Sequence, residues 1–183
     1  LSWWKLHKVS GARVMVVGCG ALGNEVAKDL ALFGVGHLWL VDFDRVEYSN
    51  LTRSVLFTQE DAREACHKVH AAAHAIKRLN PNVEVTPLVA DICTEVGLGL
   101  IRRMDAVVGC LDNRKARYML NRLCMRAGVP WVDGGIKGME GVAKVFVPGK
   151  NCYACTMEPR AWKELKRNVS CRELVKQDVE ARR

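Results

Sequence analysis

Short apolar runs recur along the chain and alternate with longer stretches of helical periodicity. Residues 13–17 read RVMVV and end on a glycine, a pattern that suits a strand buried on both faces of a parallel sheet. Similar runs lie at 37–41 (HLWLV), 83–89 (VEVTPLV), 105–110 (DAVVGC) and 130–133. Helical stretches are predicted between them, at 21–33, 62–79, 96–103 and 114–127. Asn80-Pro81 stops the second of these, because a residue before proline avoids the α region. Strand and helix in alternation predict βαβ units and a mostly parallel sheet. Residues 141–147 (GVAKVFV) alternate more strictly and are expected to pair antiparallel at one end of that sheet. Residues 3–8 read as a short amphipathic helix whose Trp3 and Trp4 serve core or dimer contacts.

Gly18-Cys19-Gly20-Ala21-Leu22-Gly23 follows the first strand and opens the first helix. A G-x-G-x-x-G in that place allows a tight turn and a close backbone approach. The helix N-terminus adds unpaired N–H groups and a positive dipole end that suit phosphate. Nineteen residues past Gly23, Asp42 ends the second strand, the usual position of an acidic group that accepts hydrogen bonds from ribose. The fold expected is therefore a doubly wound, Rossmann-like α/β sheet, mostly parallel with antiparallel strands at one end.

These signals leave a dinucleotide and ATP as alternatives, and the next segment separates them. Asp42-Phe43-Asp44 leads to Ser49-Asn50-Leu51-Thr52-Arg53, and the following helix carries Lys68. A triphosphate with departing pyrophosphate needs cations and donors around it, which Arg53 and Lys68 supply. Read singly, either residue is solvated surface charge. The fourth strand ends in Gly109-Cys110-Leu111-Asp112-Asn113, across the crevice from the glycine loop in a doubly wound sheet. A carboxylate there repels phosphate unless a cation mediates, so Asp112 is assigned to Mg²⁺. The competing role is the N-cap of the next helix.

The segments GCGALG, DFDRVEYSNLTR, HKV around Lys68 and CLDN together resemble the ThiF/MoeB/HesA family, which includes the ubiquitin-activating enzymes. The resemblance covers about residues 11 to 175. It implies an enzyme that binds ATP and Mg²⁺ and adenylates the C-terminal carboxylate of a ubiquitin-like or sulfur-carrier protein, releasing pyrophosphate. The family's nucleotide-binding positions fall on Gly18, Gly20, Asp42, Asp44, Asn50, Arg53, Lys68 and Asp112, with Gly23 completing the glycine motif. Arg53, Lys68 and Asp112 are the catalytic positions. The resemblance also implies a homodimer.

Cysteine usage adds two sites. Cys152-Tyr153-Ala154-Cys155 is a C-x-x-C, half of a tetrahedral Zn²⁺ site or a redox pair, and zinc is preferred because no thioredoxin pattern surrounds it. Cys171 resembles the position where many family members carry an acceptor thiol. Neighbouring Arg167 and Arg172 favour its thiolate; the alternatives are an inert cysteine or a zinc ligand. Cys19, Cys66, Cys93, Cys110 and Cys124 read as small reduced hydrophobes.

At 183 residues, the chain is expected to form one adenylation domain, with residues 150–183 beginning the segment that carries the C-x-x-C. It opens on Leu1 and stops at Arg183, so both ends read as cuts. Composition is 49% hydrophobic and 26% charged. There is no long apolar run and no signal-peptide pattern, so a cytoplasmic protein without membrane contact is expected. Net charge is +8, much of it in residues 163–183. A basic balance admits acidic partners or nucleic acid. Adenylation of a peptide or a modified tRNA base, or a non-catalytic ATP-binding scaffold, therefore remain alternatives. His67, His70 and His74 recur at helical spacing but read as ordinary helix surface.

Overall fold

The computed structural model describes residues 5–137, 140–159, 162 and 165. Its six strands order as β3-β2-β1-β4-β5-β6. They are β1 (Arg13–Val17), β2 (His37–Val41), β3 (Glu84–Leu88), β4 (Ala106–Gly109), β5 (Trp131–Lys137) and β6 (Glu140–Phe146). The first five are parallel, and β6 returns antiparallel along β5. The order reverses between β1 and β4, which is the switch point of a doubly wound sheet. The predicted fold class is the observed one.

Alternate side chains of β1 explain the uninterrupted apolar run. Val14 and Val16 face one core with Leu38 and Leu40, closed by α2 (Ala21–Leu32) and α4 (Lys68–Leu79). Met15 and Val17 face the other with Val107, closed by α5 (Leu98–Ile101) and α6 (Arg114–Ala127). A strand covered on both faces has no polar side to display. Trp131 and Phe146 are buried at the β5–β6 end, their rings stacked with centroids 4.9 Å apart.

Three predicted elements differ. The helix expected at 62–79 is two helices, α3 (Gln59–Arg63) and α4, broken at Ala65, whose φ of 47° is left-handed. The break is held by tertiary bonds: Val46 N–H donates to Cys66 O at 2.8 Å, and the Arg45 guanidinium donates to Ala65 O at 2.8 Å. The strand expected at 130–133 runs on to Lys137, because Gly134 to Lys137 pair across the β6 hairpin. The helix at 96–103 shrinks to α5, whose N-cap is Gly97 and whose interior contains Gly99, both poor helix formers. The amphipathic N-terminal helix is α1 (Leu6–Ser10), and Trp3 and Trp4 lie outside the described residues. No described helix is long and apolar enough to cross a membrane.

Candidate active site

A cleft of about 800 Å³ opens at the C-terminal ends of β1, β2 and β4. It is lined by Gly18, Gly20, Asp42, Asp44, Asn50, Arg53, Lys68 and Asp112, so residues spread over four sequence segments converge on one cavity. Gly23 is not among the lining residues. It packs behind the loop, where an added Cβ would come within 1.9 Å of Gly18 O.

The loop's conformation follows from its glycines and one carboxylate. Gly18 has φ of 93° and lies so close to β4 that a Cβ would meet Cys110 O at 2.5 Å. Gly20, at φ −72°, is the N-cap of α2 and places no cap side chain over the helix end. A Cβ built on Gly20 meets nothing within 4 Å. The uncapped N-terminus of a twelve-residue helix thus faces the cleft, which fits a phosphate chain. Asp42 fixes both neighbouring loops: one carboxylate oxygen accepts Cys19 N–H at 2.7 Å and the other accepts Asp44 N–H at 2.8 Å.

Lys68 is not solvated surface charge. Its side chain is only 12% exposed, and Nζ lies 2.8 Å from the Asp44 carboxylate. The break before α4 makes this possible, since Lys68 N–H also donates to Asp44 O at 3.0 Å. Arg53 is exposed and donates to Ser49 O at 2.6 Å. The Asn50 side chain accepts Glu47 N–H at 3.0 Å and so shapes the turn that carries Arg53. On the opposite wall, the cap of α6 is Asn113, whose Oδ1 accepts Ala116 N–H at 2.8 Å. Asp112 is therefore exposed at the cleft without the capping role.

Sequence reasoning missed several lining residues, among them Asp91, Lys115, Arg117, Gly134 and Gly135. Arg117 stands one turn into α6 and its Nε lies 3.1 Å from the Asp133 carboxylate. Burial raises the Asp133 carboxyl pKa, against the pull of Arg117 and Lys144.

Cys152 and Cys155 lie together, Sγ to Sγ 2.8 Å, at a 3-10 turn (Tyr153–Thr156). Partial burial works to raise the Cys152 pKa, but hydrogen bonds from Cys155, Asn121 and Ala154 together outweigh it and leave the thiol more acidic than usual. Among the described residues no group of three or more His, Cys, Asp or Glu is arranged to hold a metal. Cys171 lies outside the described residues. Cys110 and Cys124 are inert by contrast, burial pushing both thiols up to about 12.

The description of the ThiF family matches residues 4–177. The chain belongs to the ThiF family. Among its ThiF-type relatives, "Adenylyltransferase and sulfurtransferase MOCS3" of Bos taurus is 43% identical over 149 residues, 81% of this chain and 32% of the relative. "Molybdopterin-synthase adenylyltransferase" of Escherichia coli is 41% identical over 146 residues, 79% of this chain and 58% of the relative. "Sulfur carrier protein ThiS adenylyltransferase" of Bacillus subtilis is 35% identical over 152 residues, 82% and 45% respectively. The chain thus spans between about a third and three-fifths of these relatives' lengths. Escherichia coli MccB, solved with MccA-N7isoASN, superposes with a TM-score of 0.73 at 28% identity, covering 84% of this chain and 45% of MccB. MccB solved with AMPCPP and MccA gives 0.72 at 26% identity, covering 91% and 50%.

Proposed function

We propose that this ThiF-family domain uses ATP to adenylate the C-terminal carboxylate of a ubiquitin-like or sulfur-carrier protein. The observation that carries the reading is the convergence of the glycine loop, Arg53, Lys68 and Asp112 on one cleft. The names of the relatives point the same way: all three are adenylyltransferases, one of them of the sulfur carrier protein ThiS.

The proposed chemistry follows from charge. The α2 N-terminus and the backbone of Gly18 to Gly20 bind the phosphates, and the Asp42 side of the loop receives the ribose. A carboxylate oxygen of the carrier tail attacks the α-phosphorus; the bond to the bridging oxygen of the β-phosphate breaks, and pyrophosphate leaves. No general base is required, since a carboxyl of pKa about 3.5 is already ionised at pH 7. Lys68 and Arg53 stabilise the charge that builds on the phosphoryl and leaving oxygens. Asp44 holds the Lys68 ammonium at the rim, oriented and dehydrated in advance. Asp112 is the proposed ligand for Mg²⁺, which neutralises phosphate charge when bound. Cys171 is the proposed acceptor thiol, Cys152 and Cys155 half of a zinc site, and the protein a cytoplasmic homodimer.

One observation favours a second reading. MccB was solved with MccA, so a peptide carboxylate is the alternative substrate, and the net charge of +8 keeps a tRNA base in view. Exchange of labelled pyrophosphate into ATP tests all three in the full-length protein. The expected result is exchange with a carrier protein ending in Gly-Gly and none with peptide or tRNA. Exchange that stays at background with every one of these substrates would overturn the enzymatic reading. Asp112→Ala abolishes exchange with the fold intact, and Cys171→Ala keeps exchange but loses the thiol-sensitive conjugate. Activity surviving in the first, or conjugate surviving in the second, removes that residue from its role.

A further inference from the structure

Arg117 ties the end of β4 to β5 on the wall of the cleft that carries Asp112. Its Nη2 donates to Leu111 O at 2.5 Å and to Gly134 O at 3.2 Å, while Nε faces the Asp133 carboxylate at 3.1 Å. The ion pair is largely buried, the two side chains being 20% and 11% exposed. Only a forked guanidinium reaches two carbonyls and a carboxylate at once; an ammonium is a point charge. Gly135 leaves the room, because a Cβ there would stand 3.0 Å from Arg117 Nη2.

The Leu111 carbonyl belongs to the peptide group that leads into Asp112. On the other side, Asn113 Nδ2 donates to the Asp112 carboxylate at 3.2 Å while Asn113 Oδ1 caps α6. Asp112 is thus held by its preceding peptide and by its following side chain, and both holds are anchored in the first turn and a half of α6. We propose that Arg117 is a positioning residue that sets the direction of the Asp112 carboxylate for a divalent cation. This rests on the reading of Asp112 as the ligand for the nucleotide's cation.

A lock that served only the fold would cost stability and leave cation binding alone. Removing Arg117 alone would strand the buried Asp133 charge, so the informative variant is Arg117→Gln with Asp133→Asn, which removes both charges together. In the full-length protein, Mn²⁺ is titrated by its electron paramagnetic resonance signal with a non-hydrolysable ATP analogue bound. Analogue affinity without cation is measured alongside, and Asp112→Ala serves as the reference. The double variant is expected to keep its melting temperature and cation-free analogue affinity, and to bind Mn²⁺ on the order of ten-fold more weakly, as loss of an orienting partner does. Unchanged Mn²⁺ affinity, or equal loss of analogue and Mn²⁺, overturns the inference. If Asp112→Ala leaves Mn²⁺ affinity intact, the reading of Asp112 falls first, and the two failures are told apart. Should the double variant fail to fold, Arg117→Lys carries the same comparison with the same two outcomes.

Discussion

Gly20 and Gly23 stand three residues apart in one motif and answer to different physics. A methyl group on Gly20 meets no atom within 4 Å, and its backbone at φ −72° and ψ −161° is open to any residue. Gly20→Ala is expected to melt as the parent does while losing affinity for an ATP analogue, because the methyl projects into the phosphate cradle. At Gly23 the same methyl would sit 1.9 Å from a backbone oxygen of Gly18. Relieving that requires the loop itself to move, so Gly23→Ala is expected to destabilise by about 3 kcal/mol or more, at the upper end of single substitutions. Calorimetric melting with analogue titration separates the two; equal melting temperatures would refute the distinction. From sequence, all three glycines looked like one phosphate signature, since spacing gives no information on which glycine faces ligand and which faces backbone.

Among elements, the junction of α3 and α4 is where sequence and structure part most. Residues 62–79 carry helix-forming alanines throughout, and nothing local marks the break at Ala65. What ends α3 is tertiary: Cys66 and Ala65 give their carbonyls to the segment after β2. The gain is chemical, because restarting the helix at Lys68 turns that ammonium toward Asp44. A left-handed alanine costs roughly 1 kcal/mol, so Ala65→Gly is expected to raise stability by about 0.5 kcal/mol after the unfolded chain's added entropy. Urea unfolding reads this directly, and a loss of stability would show that Ala65 is unstrained. Strands with two buried faces were legible because burial imposes a local rule. The extension of β5 was not, as Gly134-Gly135 resembles a turn until β6 pairs with it. Arg53, Lys68 and Asp112 were legible through a family pattern. Arg117 was not, its function depending on carbonyls supplied by two other segments.

For the molecule as a whole, the sheet's reversal at β1 places every converging segment at one end of the strands, while the cysteine pair lies beyond β6. The pair is tied to α6 through Asn121, whose Oδ1 accepts both Tyr153 N–H at 2.9 Å and Trp131 Nε1–H at 3.3 Å. With two thiols already adjacent, the full-length protein is expected to carry a stoichiometric zinc ion, removed by chelation with a fall in melting temperature. Metal analysis that finds no zinc in reduced protein would return the pair to redox chemistry. The double grip of Asp42 on Cys19 and Asp44 has a thermodynamic sequel. The loops that would otherwise have to order around a nucleotide are already ordered when the domain folds. Docking then carries little conformational entropy penalty, and affinity depends on the contacts themselves rather than on the work of assembling a site.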